Sequence, residues 1–208
     1  MNRPPSNEKR FLVFSIRGEY YNQVRDWIVQ ADQAVFRHQF ERQGSVMVSR
    51  WHGKRHFGSV NALPPAGEAE PWYGEVGGAY TYAFRPAENG GCEVTVRNGA
   101  HGGSFFPPEP YPPLHLLVPE APEFVRTGNG LTDPAGGGWF NYDDQAPAQR
   151  MFFRLSPQYV AMLAAWSRWG DPLPAYTFFF NPSNVGMAIR GRHITSGDEI
   201  DLTKDVDW

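Results

Sequence analysis

Residues 50–59 read RWHGKRHFGS, with two histidines and three cations in ten positions. Histidines four residues apart can bind one metal ion if they share a face, and a histidine beside a carboxylate can transfer protons. Gly53-Lys54 fits a two-residue β-turn with glycine first. That turn pairs His52 with Arg55 and places His52 and His56 on opposite faces of a hairpin. The spacing therefore predicts a turn between two strands rather than a shared metal.

Cations are concentrated around this turn. Residues 35–60 contain five cations and the single acid Glu41, a local net charge of +4 in a chain whose formal charge is −3. Alternation of apolar residues with period two predicts a meander of three strands, which we place at 35–42, 45–52 and 55–60. One side of this meander is apolar and the other side is basic.

The basic side of the predicted meander brings arginines together. Arg37 is expected directly opposite Arg50, with Arg55 and His52 one row away. Like charges facing each other across a sheet are destabilising by roughly 0.2–1 kcal/mol, and an anion between the guanidinium groups would remove that repulsion. We therefore predict that these residues bind an anionic ligand. The alternative is an ordinary solvated face neutralised by nearby acids such as Glu41.

The same residues suggest an enzymatic alternative. Glu41 as general base and His52 as general acid, with the arginines stabilising developing charge, contain the parts of a metal-independent reaction on a phosphodiester or another anionic substrate. In the predicted register, however, Glu41 and His52 lie at opposite ends of their strands. The binding function is therefore favoured over the enzymatic one.

A second group of candidates lies in the long proline- and glycine-rich stretch 98–149. Loops of this length inside a compact domain commonly cover a ligand or partner, and the aromatic residues here argue against simple disorder. His101 lies in a glycine-rich turn that can offer backbone N–H groups to an anion. We expect His101 and Trp139 at the ligand. His101, Glu109 and His115 match no recurrent metal-binding spacing, so we expect no metal and no cofactor.

Composition places these candidates in a strand-rich fold. A chain of 208 residues suits a single domain over 1–208, and its 22 glycines and 19 prolines predict many turns. Apolar residues at helical spacing predict one helix from residue 19 to about 31 and another after the capping residue Ser156. We therefore predict an α+β fold of about eight mostly antiparallel strands packed against two helices.

Several classes of protein are disfavoured. The lone Cys92 cannot form an internal disulfide, and no apolar run is long enough to span a bilayer, so we expect a cytoplasmic location. The net charge of −3 argues against a protein that coats nucleic acid. The sequence thus predicts a bacterial-type soluble binding or interaction protein. Its expected partner is an anionic small molecule or an acidic protein surface, with nucleic acid less favoured and no membrane.

Overall fold

The computed structural model describes residues 10–43, 49–51, 54–56, 80–98, 111–126, 140–143, 150–183 and 186–203. These residues form two α-helices, α1 (Gly18–Gln43) and α2 (Pro157–Ala165), and a short 3-10 helix, Leu173–Ala175. They also form twelve strands: β1 (Arg10–Arg17), β2 (Ser49–Trp51), β3 (Lys54–His56), β4 (Tyr80–Pro86), β5 (Cys92–Asn98), β6 (Leu114–Val118), β7 (Glu123–Arg126), β8 (Phe140–Asp143), β9 (Arg150–Leu155), β10 (Tyr176–Ser183), β11 (Gly186–His193) and β12 (Glu199–Asp201).

Ten of these strands form two antiparallel sheets. The small sheet has the order β7-β1-β9-β8, and the large sheet has the order β12-β11-β10-β4-β5-β6. The remaining two strands, β2 and β3, pair with each other as a hairpin. The predicted fold class, strand-rich α+β with antiparallel sheets and two helices, is confirmed.

Aromatic side chains join the two sheets. Alternation along the strands turns Phe14 and Phe153 to the inner face of the small sheet, and Phe84 and Phe180 to the inner face of the large sheet. The ring centroids of Phe14 and Phe84 are 5.1 Å apart, and those of Phe153 and Phe180 are 5.2 Å apart. All four rings are fully buried. The sheets therefore share one core, and the outer face of each sheet is left for other contacts.

The two helices extend this core at different places. In α1, Val24, Trp27 and Ile28 are buried, and the Trp27 indole Nε1 donates a hydrogen bond of 2.9 Å to the carbonyl of Pro112. Ser156 caps α2 by accepting a hydrogen bond from the Tyr159 backbone N–H at 3.4 Å, as its sequence position predicted. Helix α2 packs against β1 and β9. No helix within the described ranges has the length and apolar character needed to cross a bilayer.

The predicted strand at 35–42 is wrong, because these residues belong to α1. Neither glycine nor proline occurs between Gly18 and Gly44, so nothing in the sequence stops the helix before residue 43. Phe36 and Phe40 are four residues apart, a spacing that fits a helix as well as it fits alternation. The helix therefore continues well past its predicted end near residue 31.

The hairpin that follows α1 forms with a shifted register. Trp51 lies opposite Lys54 and Ser49 lies opposite His56, whereas the sequence predicted Trp51 opposite His56. Two-residue hairpin loops also favour glycine at the second position, and in the sequence Gly53 is the second of the two residues between Trp51 and Lys54. A shift of two places keeps each residue on its face, since side chains alternate with period two.

The stretch 98–149 contains more regular structure than predicted. Besides β6, which the sequence predicted, it contributes β7 and β8, the two edge strands of the small sheet. Strand β7 pairs with β1, and β8 pairs with β9. Both edge strands depend on partners far away in the sequence, and their short apolar patterns are weak on their own.

Candidate functional site

The predicted basic sheet face does not form as predicted. Arg37 and Glu41 lie in the second half of α1, so neither shares a sheet with Arg50. Arg50 and Arg55 do lie directly opposite each other in the β2–β3 hairpin. The expected opposition of Arg37 and Arg50 is therefore wrong, while the shared face of Arg50 and Arg55 is present. The remaining predicted site residues, His52, His101 and Trp139, lie outside the described residues.

A different pair of arginines meets across the small sheet. Arg17 is the last residue of β1, Arg150 is the first residue of β9, and the two are direct cross-strand partners. Their neighbours Ile16 and Met151 point into the core and are fully buried. Because side chains alternate along a strand, Arg17 and Arg150 lie on the outer face of the small sheet, where both are exposed.

One aromatic ring lies beside both guanidinium groups. The guanidinium carbon of Arg17 is 5.8 Å from the ring centroid of Phe152, and that of Arg150 is 5.0 Å from it. A cation–π contact at an exposed site contributes roughly 0.5–1 kcal/mol. This contribution is similar in size to the cross-strand repulsion of roughly 0.2–1 kcal/mol. Phe152 therefore offsets the cost of keeping two cations side by side.

Neighbouring acids balance this arginine pair only in part. Asp143 of β8 is the cross-strand partner of Arg150, so this row of the sheet contains two guanidinium groups and one carboxyl group. Among side chains that the structure describes, no carboxylate forms an ion pair with Arg17 or Arg150. The formal charges of these three residues sum to +1.

Other exposed arginines are neutralised by acids close to them. Arg85 pairs with Glu93 at 2.5 Å on the large sheet. Arg190 and Arg192 share Glu199, at 3.7 Å and 3.6 Å. Arg17 and Arg150 differ from these arginines in having another arginine as a direct cross-strand partner. Surface ion pairs of the ordinary kind contribute little to stability.

Local sequence patterns could not reveal this site. Arg17 and Arg150 are brought together only by the pairing of β1 with β9, whose residues are distant in the chain. The available signal was an arginine beside each of two apolar stretches, with Phe152 two residues after Arg150. Such a signal is common and carries no information about which strands are neighbours.

No family model, no curated protein and no solved structure matches this chain. What the fold and the site define is a strand-rich α+β protein with a cationic, aromatic-backed position on the outer face of its small sheet.

Proposed function

We propose that this protein is a binding or interaction protein that holds an anionic group between Arg17 and Arg150. The observation that supports the proposal is the cross-strand pairing of these arginines beside the single ring of Phe152. The anionic group is a phosphate or a carboxylate, carried by a small molecule or by an acidic surface of another protein. Since Cys92 has no partner for an internal disulfide, we propose the cytoplasm as the location.

Guanidinium chemistry suits such a ligand. A guanidinium group presents N–H donors in a planar fork that matches the oxygen atoms of a phosphate or carboxylate. Hydrogen bonds to charged groups contribute roughly 1.5–3 kcal/mol each, more than the cross-strand repulsion they would offset. The stacked arrangement on Phe152 also reduces the rotamer freedom that each arginine would lose on binding.

The β2–β3 hairpin offers a second pair of the same kind. Arg50 and Arg55 are direct cross-strand partners there. We propose that this pair, with His52, is a separate contact for an anionic group. The enzymatic alternative used Glu41 and His52 on one sheet face, and Glu41 belongs to α1.

Thermal unfolding with inorganic phosphate tests the proposed function. We expect phosphate to raise the Tm of the wild-type protein, and a concentration of 100 times Kd would stabilise it by about 2.7 kcal/mol. Arg17→Ala and Arg150→Ala should each abolish this increase. Neither change should lower the Tm without phosphate by much, because the lost cation–π contact and the relieved repulsion are similar in size.

Two controls separate a specific site from a general salt effect. Sodium chloride at matched ionic strength should not reproduce the phosphate effect, although it should weaken phosphate binding by screening. Arg85→Ala removes an exposed arginine that is already paired with Glu93, and it should keep the full response to phosphate. If Arg17→Ala and Arg150→Ala respond to phosphate as the wild type does, the proposed site is wrong.

A further inference from the structure

A second group of polar side chains lies at the other end of the chain and was not predicted from the sequence. His193, the last residue of β11, has its ring Nε2 3.0 Å from Oδ2 of Asp171. Its other ring nitrogen, Nδ1, is 2.9 Å from Oγ of Ser196. His193 is 8% exposed, whereas Ser196 is exposed to solvent. A buried imidazole thus lies within hydrogen-bond distance of both a carboxylate and an exposed hydroxyl group.

The backbone defines the proton positions of His193. The backbone N–H of Ser196 points to Nδ1 at 3.3 Å, and an N–H group can only donate. Nδ1 must therefore carry a lone pair, and the neutral imidazole has its proton on Nε2, facing Asp171. In this tautomer Nδ1 can accept the hydroxyl proton of Ser196. The same division of roles between the two nitrogens is required of a histidine that acts as a base toward a serine nucleophile.

Tyr176 holds Asp171 in this position. Its hydroxyl donates to the carbonyl of Arg168 at 2.5 Å and accepts the backbone N–H groups of Gly170 and Asp171 at 3.0 Å and 3.2 Å. The Tyr176 ring also packs against His193, with centroids 5.4 Å apart. The turn that carries Asp171 is therefore fixed relative to the imidazole.

Asp198 also contacts Ser196. It pairs with Arg168, and its backbone N–H donates to Ser196 Oγ at 3.3 Å. Hydrogen bonds from Ser196 and Arg168 hold the pKa of the Asp198 carboxyl below its ordinary value of 3.8. The single hydroxyl proton of Ser196 thus has two acceptors within reach, His193 and Asp198, and transfer to the neutral imidazole yields a cation flanked by two carboxylates.

An apolar cleft of about 560 Å³ is lined by residues adjacent in the chain to this group, while Asp171, His193 and Ser196 themselves do not line it. Ile194 and Thr195, which precede Ser196, form one wall, and Pro172 and Leu173, which follow Asp171, form another. Ligand pockets commonly enclose about 300–1,000 Å³ and have mostly apolar walls with few polar groups. The cleft has the size and character for a short hydrocarbon chain.

We propose that Ser196 and His193 are the catalytic residues of an ester hydrolase that takes carboxylic esters with a short apolar acyl group in this cleft. Ser196 Oγ attacks the ester carbonyl carbon while His193 Nδ1 takes its proton. The carbon–oxygen bond to the alcohol then breaks, and the alcohol oxygen takes the proton from Nδ1. Water hydrolyses the acyl-serine by the same proton route and releases the carboxylic acid. Asp171 is a positioning residue.

Labelling with a fluorophosphonate probe, combined with hydrolysis of p-nitrophenyl butyrate by the full chain, tests this proposal. We expect one phosphonate adduct per chain, mapped to Ser196 by mass spectrometry. Ser196→Ala should lose labelling, and its hydrolysis rate should fall to the rate without protein, because the nucleophile of the proposed reaction is absent. Ser167→Ala removes another exposed serine of the neighbouring turn and should change neither result.

Asp171→Asn tests the positioning role, because Asp171 is exposed and its replacement should leave the protein folded. We expect this variant to show a lower kcat with an unchanged KM, because the imidazole is still present but is no longer held in position. Absence of labelling in folded wild-type protein, an adduct on another residue, or equal hydrolysis by wild type and Ser196→Ala would overturn the proposal.

Discussion

Burial determines the chemistry of the single cysteine. Cys92 is 2% exposed, and desolvation, followed by the negative charge of Glu93, raises the pKa of its thiol from 9.0 to about 12. The thiolate is the reactive form of cysteine, so a thiol with this pKa is unreactive at neutral pH. Cys92 therefore serves as a small apolar residue of the core, facing Pro86 across β4 and β5.

The raised pKa predicts how Cys92 reacts and how it affects stability. The folded protein should not react with a thiol reagent at pH 8, while unfolded protein should react fully, as a colorimetric thiol assay would show. The folded protein binds the Cys92 thiol proton more tightly than the unfolded protein does. The stabilisation that results is complete below pH 9 and is lost as the pH rises toward about 12. Cys92→Ala should remove this part of the alkaline destabilisation, and rapid modification of folded protein would contradict the assignment.

Cross-strand arginines illustrate what residue types alone can predict. The sequence indicated that guanidinium groups would face each other across a sheet, and such pairs do occur, at Arg17 with Arg150 and at Arg50 with Arg55. The predicted pair of Arg37 with Arg50 was wrong, because one of its members lies in α1. Charge density led to the prediction of an arginine pair within residues 35–60, whereas the contact of Arg17 with Arg150 depends on a strand pairing that no local pattern indicates.

At the level of single elements, the turn between β4 and β5 depends on two successive glycines. Gly90 and Gly91 have φ angles of 88° and 79°, in the region that side chains rarely adopt. A Cβ atom on Gly90 would contact nothing within 4 Å, but a Cβ on Gly91 would lie 2.5 Å from the backbone carbonyl oxygen of Val118. A side chain at Gly91 is therefore disfavoured both by the positive φ angle and by the contact with Val118.

These two glycines make a matched pair of substitutions. Gly90→Ala should cost about 1–2 kcal/mol of unfolding free energy, since only backbone strain opposes it. Gly91→Ala should cost clearly more, roughly a further 1–3 kcal/mol, because the Val118 carbonyl belongs to the paired strand β6 and cannot easily move. Chemical denaturation of both variants measures the difference. Equal losses of unfolding free energy in the two variants would show that β6 shifts to accommodate the added methyl group.

Elements with clear boundary residues were predictable from sequence, and elements without them were not. Helix α2 begins at Pro157 after a capping serine, and Gly91 closes a hairpin between two alternating strands, so local chemistry identifies both. Helix α1 has no internal breaker, and its second half fits two periodicities. Strands β7 and β8 are short edge strands whose existence depends on β1 and β9.

At the level of the whole molecule, strand β9 connects the core with the proposed anion site. Phe153 faces inward and contacts Tyr82, Phe84 and Phe180 of the large sheet, with centroid distances of 4.7, 5.0 and 5.2 Å. Phe152, its neighbour, faces outward beside the two arginines and is only partly buried. Two adjacent phenylalanines thus separate the requirements of folding from those of the proposed anion binding.

This division predicts that the same substitution has different consequences at the two adjacent positions. Phe153→Ala should lower the free energy of unfolding by about 3–5 kcal/mol, because it opens a cavity where the two sheets meet. Phe152→Ala should cost roughly 1 kcal/mol, mainly its cation–π contacts. Phe152→Ala should also weaken the stabilisation by phosphate, since the guanidinium groups of Arg17 and Arg150 would no longer be held together. Denaturant unfolding with and without phosphate measures both effects, and a Phe152→Ala variant with full phosphate response would show that the ring has no part in the site.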